Sequence, residues 1–143
     1  MLLKEVLDKP YKYKWNFKGM QLWIAEFSTE SGVKYEVGFN DMNTQNNPDM
    51  RFWEVQFHNL DQKNASAISG TGDEFRVFAT IMAITQEVIK KTDPKILYFT
   101  AKEKSRVSLY KKLISKFAKQ WGFFLKDTGK NADGVTFQLE KKQ

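Results

Sequence analysis

The fold of this chain is decided by residues 77–100, which read VFATIMAITQEVIKKTDPKILYFT. The first part is apolar at the helical spacing i, i+4, i+7 and i+11, through Val77, Ile81, Ile84 and Val88. Two lysines and a proline then supply the basic last turn and the stop that end a helix. Residues 95–100 follow as a short, nearly continuous apolar run, typical of a strand covered on both faces. The stretch therefore predicts a helix followed by a buried strand.

Four strands are predicted upstream of this helix, because apolar and polar residues alternate with a period of two. They are Tyr11–Lys18, Met20–Ser28, Val33–Asn40 and Arg51–His58. Turn residues between the strands predict an antiparallel meander. In the first strand four aromatic residues alternate with lysines and an asparagine. We therefore expect its four rings on one face of the sheet and its lysines on the other.

A second helix and two closing strands are predicted downstream. Ser105–Trp121 carries an apolar stripe, and Gly122 is well placed to end that helix. Phe123–Lys126 and Gly134–Lys141 are predicted as strands around a loop at residues 127–133. The order β-β-β-β-α-β-α-β-β predicts one α/β domain over residues 1–143, with a mixed, largely antiparallel sheet and two helices. The strand-helix-strand unit in its middle implies at least one parallel strand pair.

Composition argues against several classes of site. The 143 residues contain no cysteine and a single histidine, His58, so no Cys/His zinc site is available and we expect no metal. The same shortage argues against a Ser-His-Asp or Cys-His hydrolase. The absence of disulfides favours a reducing compartment, and we expect a cytoplasmic protein. No apolar run approaches the roughly 20 residues of a membrane span, so no membrane association is expected.

The net charge of +6 is concentrated in one segment of the chain. Residues 102–126 hold eight basic residues and one acid, a charge of +7, while fifteen basic and sixteen acidic residues elsewhere give −1. This excess is either the solvated face of an amphipathic helix or a surface for an acidic partner. The lysines expected to point away from the apolar stripe are Lys111, Lys112, Lys116 and Lys119. A protein with an acidic surface is the partner we expect.

Nucleic acid is a second candidate partner, on the evidence of residues 11–18. Bases stack on exposed aromatic rings while lysines meet phosphates, and this segment contains both residue types. The alternation separates them onto opposite faces, however, which suits a buried aromatic face better than a stacking platform. Nucleic acid is therefore kept as a candidate that the pattern does not favour.

A glycine loop, Gly70-Thr71-Gly72, precedes the first predicted helix. Glycines at such a place let backbone N–H groups approach a phosphate at the helix N-terminus. Asp73 and Glu74 follow at once, and they would cap the helix and compete with a bound anion. A structural turn and a phosphate contact therefore both stay open.

This loop, the order of elements and the pair Leu109-Tyr110 resemble the GNAT acetyltransferase superfamily, over about Arg51 to Lys141. In that family the loop, written Arg/Gln-x-x-Gly-x-Gly/Ala, binds the pyrophosphate of acetyl-CoA. Both glycines match here, whereas Ala67 stands at the leading position. The family's second signature, Leu-Tyr followed by Gly-Phe, is matched by Leu109-Tyr110 and Gly122-Phe123 across a longer helix. The resemblance implies acetyl-CoA as cofactor, with Gly70, Thr71 and Gly72 on its pyrophosphate and Tyr110 as general acid for the departing thiolate.

The sequence also departs from the family pattern. The two helices that the family places after its first strand are missing from the pattern, so the acceptor-binding part is reduced or absent. Arg76, one turn into the first helix, is a candidate replacement for the lost basic leader. Tyr110 lies on an apolar stripe, where a packed core residue is the alternative. Glu54 is the candidate general base if burial raises its pKa, and otherwise marks the exposed side of its strand.

Two hypotheses about function follow. In the first, the chain is a degenerate GNAT-like module that binds a macromolecular partner without catalysis. In the second, it is an acetyl-CoA-dependent N-acyltransferase with Tyr110 as general acid. Residues 71–80 are also similar to small uncharacterised tailed-phage proteins of this layout. That similarity implies a viral origin, a host or viral protein as partner, and the host cytoplasm as location.

Overall fold

The computed structural model describes residues 9–41, 52–60, 74–101, 107–131 and 134–142. The strands are β1 Tyr13–Lys18, β2 Leu22–Ser28, β3 Lys34–Asp41, β4 Phe52–Asn59, β5 Ile96–Ala101, β6 Phe123–Asn131 and β7 Gly134–Lys141. The helices are α1 Glu74–Thr92 and α2 Val107–Trp121. The predicted order of elements is thereby confirmed. Gly122 ends α2 with a backbone φ of 78°, a left-handed conformation that favours glycine.

The strands form one seven-stranded sheet in the order β1-β2-β3-β4-β5-β7-β6. Strands β1 to β4 are the predicted antiparallel meander. β4 and β5 are parallel and are joined through α1, whereas β7 pairs antiparallel with both β5 and β6. The fold is therefore a mixed α/β fold with a largely antiparallel sheet, as expected.

Both helices pack on the same face of the sheet. The indole Nε1 of Trp53 in β4 donates to Thr92 Oγ1 of α1 at 3.0 Å. On α2, the ring of Trp121 stacks on Phe99 of β5 with 6.5 Å between centroids. Strand pairing puts the apolar side chains of β2 to β5 and β7 in register on this face, so they form one continuous core.

The opposite face of the sheet is more polar, and no described helix covers it. In β5, Leu97 and Phe99 are fully buried under the helices, while Tyr98 and Thr100 on the other face are only half-buried. The sequence predicted that β5 is covered on both faces. Within the described residues, only the face under the helices is covered. We call the more polar side the open face.

A β-bulge in β1 changes the predicted alternation of rings and lysines. Trp15 pairs with Ala25 and Phe17 pairs with Ile24, so Asn16 is an extra residue on this strand. The extra residue turns Phe17 to the open face, where it is 52% exposed. The expectation that all four rings share one face is therefore wrong at Phe17, and Lys18 turns to the helix side instead.

Strand β6 is longer than predicted. It runs from Phe123 to Asn131, so residues 127–131, predicted as loop, belong to the strand. A register shift between Leu125 and Asp127 lets the polar second half continue its pairing with β7. β6 is an edge strand of the sheet, where polar side chains are compatible with backbone pairing. The polar composition of residues 127–131 is therefore the reason that they were predicted as a loop.

Candidate functional site

The parallel strands β4 and β5 separate at their carboxyl ends. Their pairing begins at Phe52 with Ile96 and ends at Val55 with Phe99. β4 nevertheless continues to Asn59 in its pairing with β3, and β5 continues to Ala101 in its pairing with β7. The carboxyl end of parallel strands is the usual place for a ligand in open α/β sheets. We call this gap the β4–β5 split.

Tyr110 of α2 lies over the β4 side of this split. Its ring stacks on Phe78 of α1 with 5.5 Å between centroids and meets Phe57 of β4 edge-on at 6.3 Å. Phe57 belongs to the part of β4 that has left β5. Tyr110 is only 1% exposed. The core alternative for Tyr110 is therefore supported by its packing, while its role as a general acid stays a prediction.

Glu54 lies on the open face, on the other side of the sheet from Tyr110. Side chains alternate along β4, and its neighbours Trp53 and Val55 are fully buried beneath the helices. Its carboxylate accepts a hydrogen bond from the Gln56 side-chain amide on the same face. Glu54 is half-buried and also stands opposite Tyr98, in the closed part of the parallel pair. The structure therefore does not bring the two predicted catalytic residues together.

Arg76 is engaged by the N-terminal region. Its Nη1 donates to Glu30 Oε1 at 2.7 Å, and its Nε donates to the Lys9 carbonyl oxygen at 2.9 Å. The guanidinium carbon also lies 3.8 Å from the ring centroid of Tyr11. These contacts join α1 to the segment before β1 and to the β2–β3 turn, which is a structural role for this arginine. Its predicted contact with a cofactor stays a prediction.

The rest of the predicted cofactor site lies outside the described residues. This applies to Gly70, Thr71 and Gly72, whose proposed contact with pyrophosphate therefore stays a prediction. Among the residues with described positions, no group of three or more His, Cys, Asp or Glu side chains could hold a metal ion. Neither of the described helices combines the length and apolarity that crossing a membrane requires.

The outer face of α2 is basic. Lys111, Lys112, Lys116 and Lys119 are all exposed, whereas Leu113, Ile114 and Ala118 are buried on the inner side. This distribution is the one predicted from the apolar stripe. Among the described side chains, none of these four lysines forms an ion pair with an acid. Their charge is therefore presented to the surroundings, and we call this surface the α2 lysine face.

The sequence analysis missed a polar cluster around Glu87 of α1. Its Oε1 accepts a hydrogen bond from the Tyr13 hydroxyl at 2.7 Å, and its Oε2 accepts one from Trp15 Nε1 at 2.6 Å. Lys91, one turn further along α1, donates to Oε2 at 3.1 Å. The available signal was a glutamate next to the apolar stripe of the helix and four residues before Lys91. That pattern gave no indication that aromatic donors of a distant strand would share its carboxylate.

Burial and hydrogen bonding shift the pKa values of both acidic groups of this cluster. Partial burial raises the pKa of Glu87, but hydrogen bonds from Tyr13, Lys91 and Trp15 outweigh it and hold that pKa below its ordinary value. Burial, together with the hydrogen bond to Glu87 and the negative charge of that residue, raises the pKa of Tyr13 to about 12. The cluster therefore holds a carboxylate and a neutral phenol at neutral pH.

Comparison with protein families matches residues 8–141 to DUF6934, described as a family of unknown function. The chain belongs to this family. No functionally curated protein matches this DUF6934 chain. Among solved structures it is similar to one described as "Putative GnaT-family acetyltransferase from Bordetella pertussis", at 16% identity and a TM-score of 0.44. The match covers 84% of this chain and 65% of that one, slightly under two thirds of its length. At this identity and TM-score the likeness assigns neither activity nor ligand.

Proposed function

We propose that this protein is a degenerate GNAT-like module that binds an acidic macromolecular partner through the α2 lysine face, without catalysis. The observation that carries the proposal is the set of four exposed lysines on one helix surface with no described acid against them. Such a surface raises the local concentration of acidic partners and speeds their association. The phage resemblance makes a host or viral protein in the host cytoplasm the partner that we propose.

The positions of the candidate catalytic residues support the non-catalytic part of this proposal. Tyr110 is packed between Phe57 and Phe78, and Glu54 lies on the opposite face of the sheet. A general base and a general acid must both come within hydrogen-bond distance of one reacting centre. These two side chains would have to act from the two sides of β4, which is an unfavourable arrangement for one reaction.

A direct test uses a fluorescein-labelled polyglutamate peptide as the acidic probe. We expect the wild-type protein to bind it at low salt and to lose affinity steeply as salt rises. Changing Lys111, Lys112, Lys116 and Lys119 to glutamine should weaken binding at least tenfold. A matched variant with Lys12, Lys14, Lys34 and Lys90 changed to glutamine has the same net charge and should retain binding. Equal losses in the two variants, or no binding by the wild type, would refute the proposal.

A single-stranded oligonucleotide of the same charge tests the nucleic-acid alternative in parallel. Tighter binding of the oligonucleotide than of the peptide, together with dependence on Lys12 and Lys14, would replace the acidic protein by nucleic acid. Binding of both probes through the α2 lysine face alone would support the proposal, because stacking on the rings of β1 would then contribute nothing.

The β4–β5 split favours one second candidate, an N-acyltransferase that binds acetyl-CoA there. Acetyl-CoA at 100 times its Kd would add about 2.7 kcal/mol to the free energy of unfolding, which corresponds to several degrees in Tm. No shift at millimolar acetyl-CoA would remove this candidate. If a shift and acyl transfer are both observed, Tyr110→Phe should lower kcat more than it changes KM, and an unchanged kcat would leave Tyr110 as a core residue.

A further inference from the structure

Three apolar side chains are exposed at the end of the β1–β2 hairpin. Met20 is 88% exposed in the turn, and Phe17 of β1 and Leu22 of β2 are exposed beside it on the open face. A methyl group on Gly19 would lie 2.7 Å from Cε1 of Phe17, so this ring lies against the turn itself. We call Phe17, Met20 and Leu22 the hairpin tip.

The β-bulge in β1 is what exposes the aromatic ring of this tip. Without the extra residue Asn16, the alternation along the strand would put Phe17 on the helix side, beside Trp15, and Lys18 on the open face. The bulge reverses these positions, although burying an aromatic ring would stabilise the fold. Bulges re-aim side chains and are frequent beside functional sites. The exposure of Phe17 therefore indicates a contact surface at the hairpin tip.

Hydrogen bonds fix the turn at the end of this hairpin. The Gly19 amide donates to the Leu22 carbonyl oxygen at 2.8 Å, and the indole Nε1 of Trp23 donates to the Gly19 carbonyl oxygen at 2.7 Å. From β3, the Asp41 amide donates to the Gln21 carbonyl oxygen at 2.8 Å. The backbone of the turn is therefore held in place before any ligand arrives, which lowers the entropy that binding would cost.

Lysines flank the hairpin tip on both sides of the sheet. On the open face, Lys14 is paired with Glu26 at 3.6 Å. On the helix side, Lys18 and Lys91 are both paired with Glu87. In each of these pairs the lysine is the more exposed partner, as for Lys14 at 71% against Glu26 at 20%. Three lysines share two acids, so these pairs present an excess of positive charge beside the tip.

An apolar projection between lysines fits an anionic lipid surface better than another protein chain. Apolar side chains enter the boundary between headgroups and acyl chains, while lysines are attracted to the anionic headgroups. A strand added to the outer edge of β1 is disfavoured, because a bulge and lysines are features that protect a sheet edge from such pairing. A second copy of the chain is disfavoured because two tips in contact would bring their lysines together.

We propose that the hairpin tip is a peripheral contact for an anionic lipid surface. The three apolar side chains of the tip enter the headgroup region, and the flanking lysines meet the lipid phosphates. The expectation of no membrane association rested on the lack of a spanning run, and a peripheral contact requires no such run. This site is separate from the α2 lysine face and does not depend on the function proposed above.

The first test is flotation with vesicles of equal parts phosphatidylcholine and phosphatidylserine. We expect the wild-type protein to bind them, and Met20→Ser to weaken binding at least threefold although the net charge is unchanged. The control Phe124→Ser removes an exposed aromatic ring at the opposite edge of the sheet and should bind like the wild type. The proposal is overturned if the wild type binds pure phosphatidylcholine vesicles equally well, if it binds neither vesicle, or if Met20→Ser binds like Phe124→Ser.

A second test shows which surface meets the lipid, and it uses the fact that the chain has no cysteine of its own. An environment-sensitive fluorophore on Met20→Cys should shift its emission to the blue with anionic vesicles. The same fluorophore on Ser108→Cys, exposed one turn before Lys112 on α2, should not shift. A shift at Ser108→Cys alone would assign lipid binding to the α2 lysine face and overturn the proposal. Self-association without vesicles that Met20→Ser abolishes would replace the lipid by a second copy of the chain.

Discussion

The two ends of α1 meet the N-terminal region in chemically similar ways but at different distances. Near the first turn, the Arg76 guanidinium lies on the Tyr11 ring at 3.8 Å and is paired with Glu30. Near the last turns, the Nζ of Lys18 lies 5.3 and 5.6 Å from the ring centroids of Trp15 and Trp23 and 4.0 Å from Glu87. Each end combines a cation, an aromatic surface and a carboxylate.

The difference teaches that the cation makes the connecting hydrogen bonds at the first turn, whereas the carboxylate of Glu87 makes them near the last turns. Arg76 donates hydrogen bonds to a backbone carbonyl and to a carboxylate while its guanidinium lies over the Tyr11 ring, so three contacts hold this side chain. Near the last turns, Glu87 accepts hydrogen bonds from the Trp15 indole and the Tyr13 hydroxyl, while Lys18 contributes only a long ion pair of 4.0 Å from a partly exposed side chain. Substitutions at the two ends should therefore have effects of different size.

Among substitutions at the two ends of α1, Glu87→Ala should cause the largest loss in the free energy of unfolding. The change removes the acceptor of the Tyr13 hydroxyl and the Trp15 indole N–H, both of which are partly buried. Leaving such donors without a partner should cost about 2–3 kcal/mol in the free energy of unfolding. Urea unfolding measures this value, with the exposed neighbour change Gln86→Ala as control. A loss no larger than that of the control would contradict the anchoring role of Glu87.

Arg76→Ala should have the second largest effect, about 1–2 kcal/mol. The variant loses the contact with the Tyr11 ring and the bond to the Lys9 carbonyl oxygen, while the pair with exposed Glu30 contributes little. Lys90→Ala removes a charge from the other end of α1 and should be close to neutral. If the two variants are equally stable, the joint at the first turn contributes nothing measurable.

Acid should reduce the contribution of Glu87 to the free energy of unfolding, and this loss should be smaller than the loss caused by Glu87→Ala. The folded-state pKa of Glu87 is lowered from 4.5, so its contribution is complete above that value and is lost as the pH falls through the lower folded value. The difference in unfolding free energy between wild type and Glu87→Gln should therefore shrink on going from pH 7 to the acid side of pH 4.5. A difference that does not change with pH would argue against a charged Glu87.

Lys18→Ala should have the smallest effect on stability, within about 0.5 kcal/mol, since 40% of the side chain is exposed and its ion pair with Glu87 is long, at 4.0 Å. Urea unfolding beside Lys14→Ala gives the comparison. A loss near that of Arg76→Ala would show that Lys18 is a structural joint like the arginine, and the contrast between the two ends would disappear.

Much of the fold was predictable, because each element depends on local patterns. The spacing of Val77, Ile81, Ile84 and Val88 predicted α1, and all four side chains are fully buried. The end of β6 and the face of Phe17 were not predictable, because each depends on a register shift against a neighbouring strand. A shift of one residue moves a side chain to the other face while the composition of the strand stays the same.

Less of the candidate site was predictable. The exposure of the α2 lysines followed from the helical period, and the sequence also left open that Tyr110 is a core residue. That Glu54 and Tyr110 lie on opposite sides of the sheet depends on how α2 packs. The cluster around Glu87 joins residues more than 70 positions apart along the chain, and the bulge at Asn16 turns Lys18 toward it.

The sequence by itself determined the order of strands and helices, the apolar stripes and the concentration of charge on α2. These features follow from periods of two and 3.6 residues, which act between neighbours along the chain. Only the tertiary structure decided which face Lys18 occupies, what Glu87 and Arg76 bind, and where β4 leaves β5. Those outcomes depend on distances between segments far apart in the chain, and no local pattern contains that information.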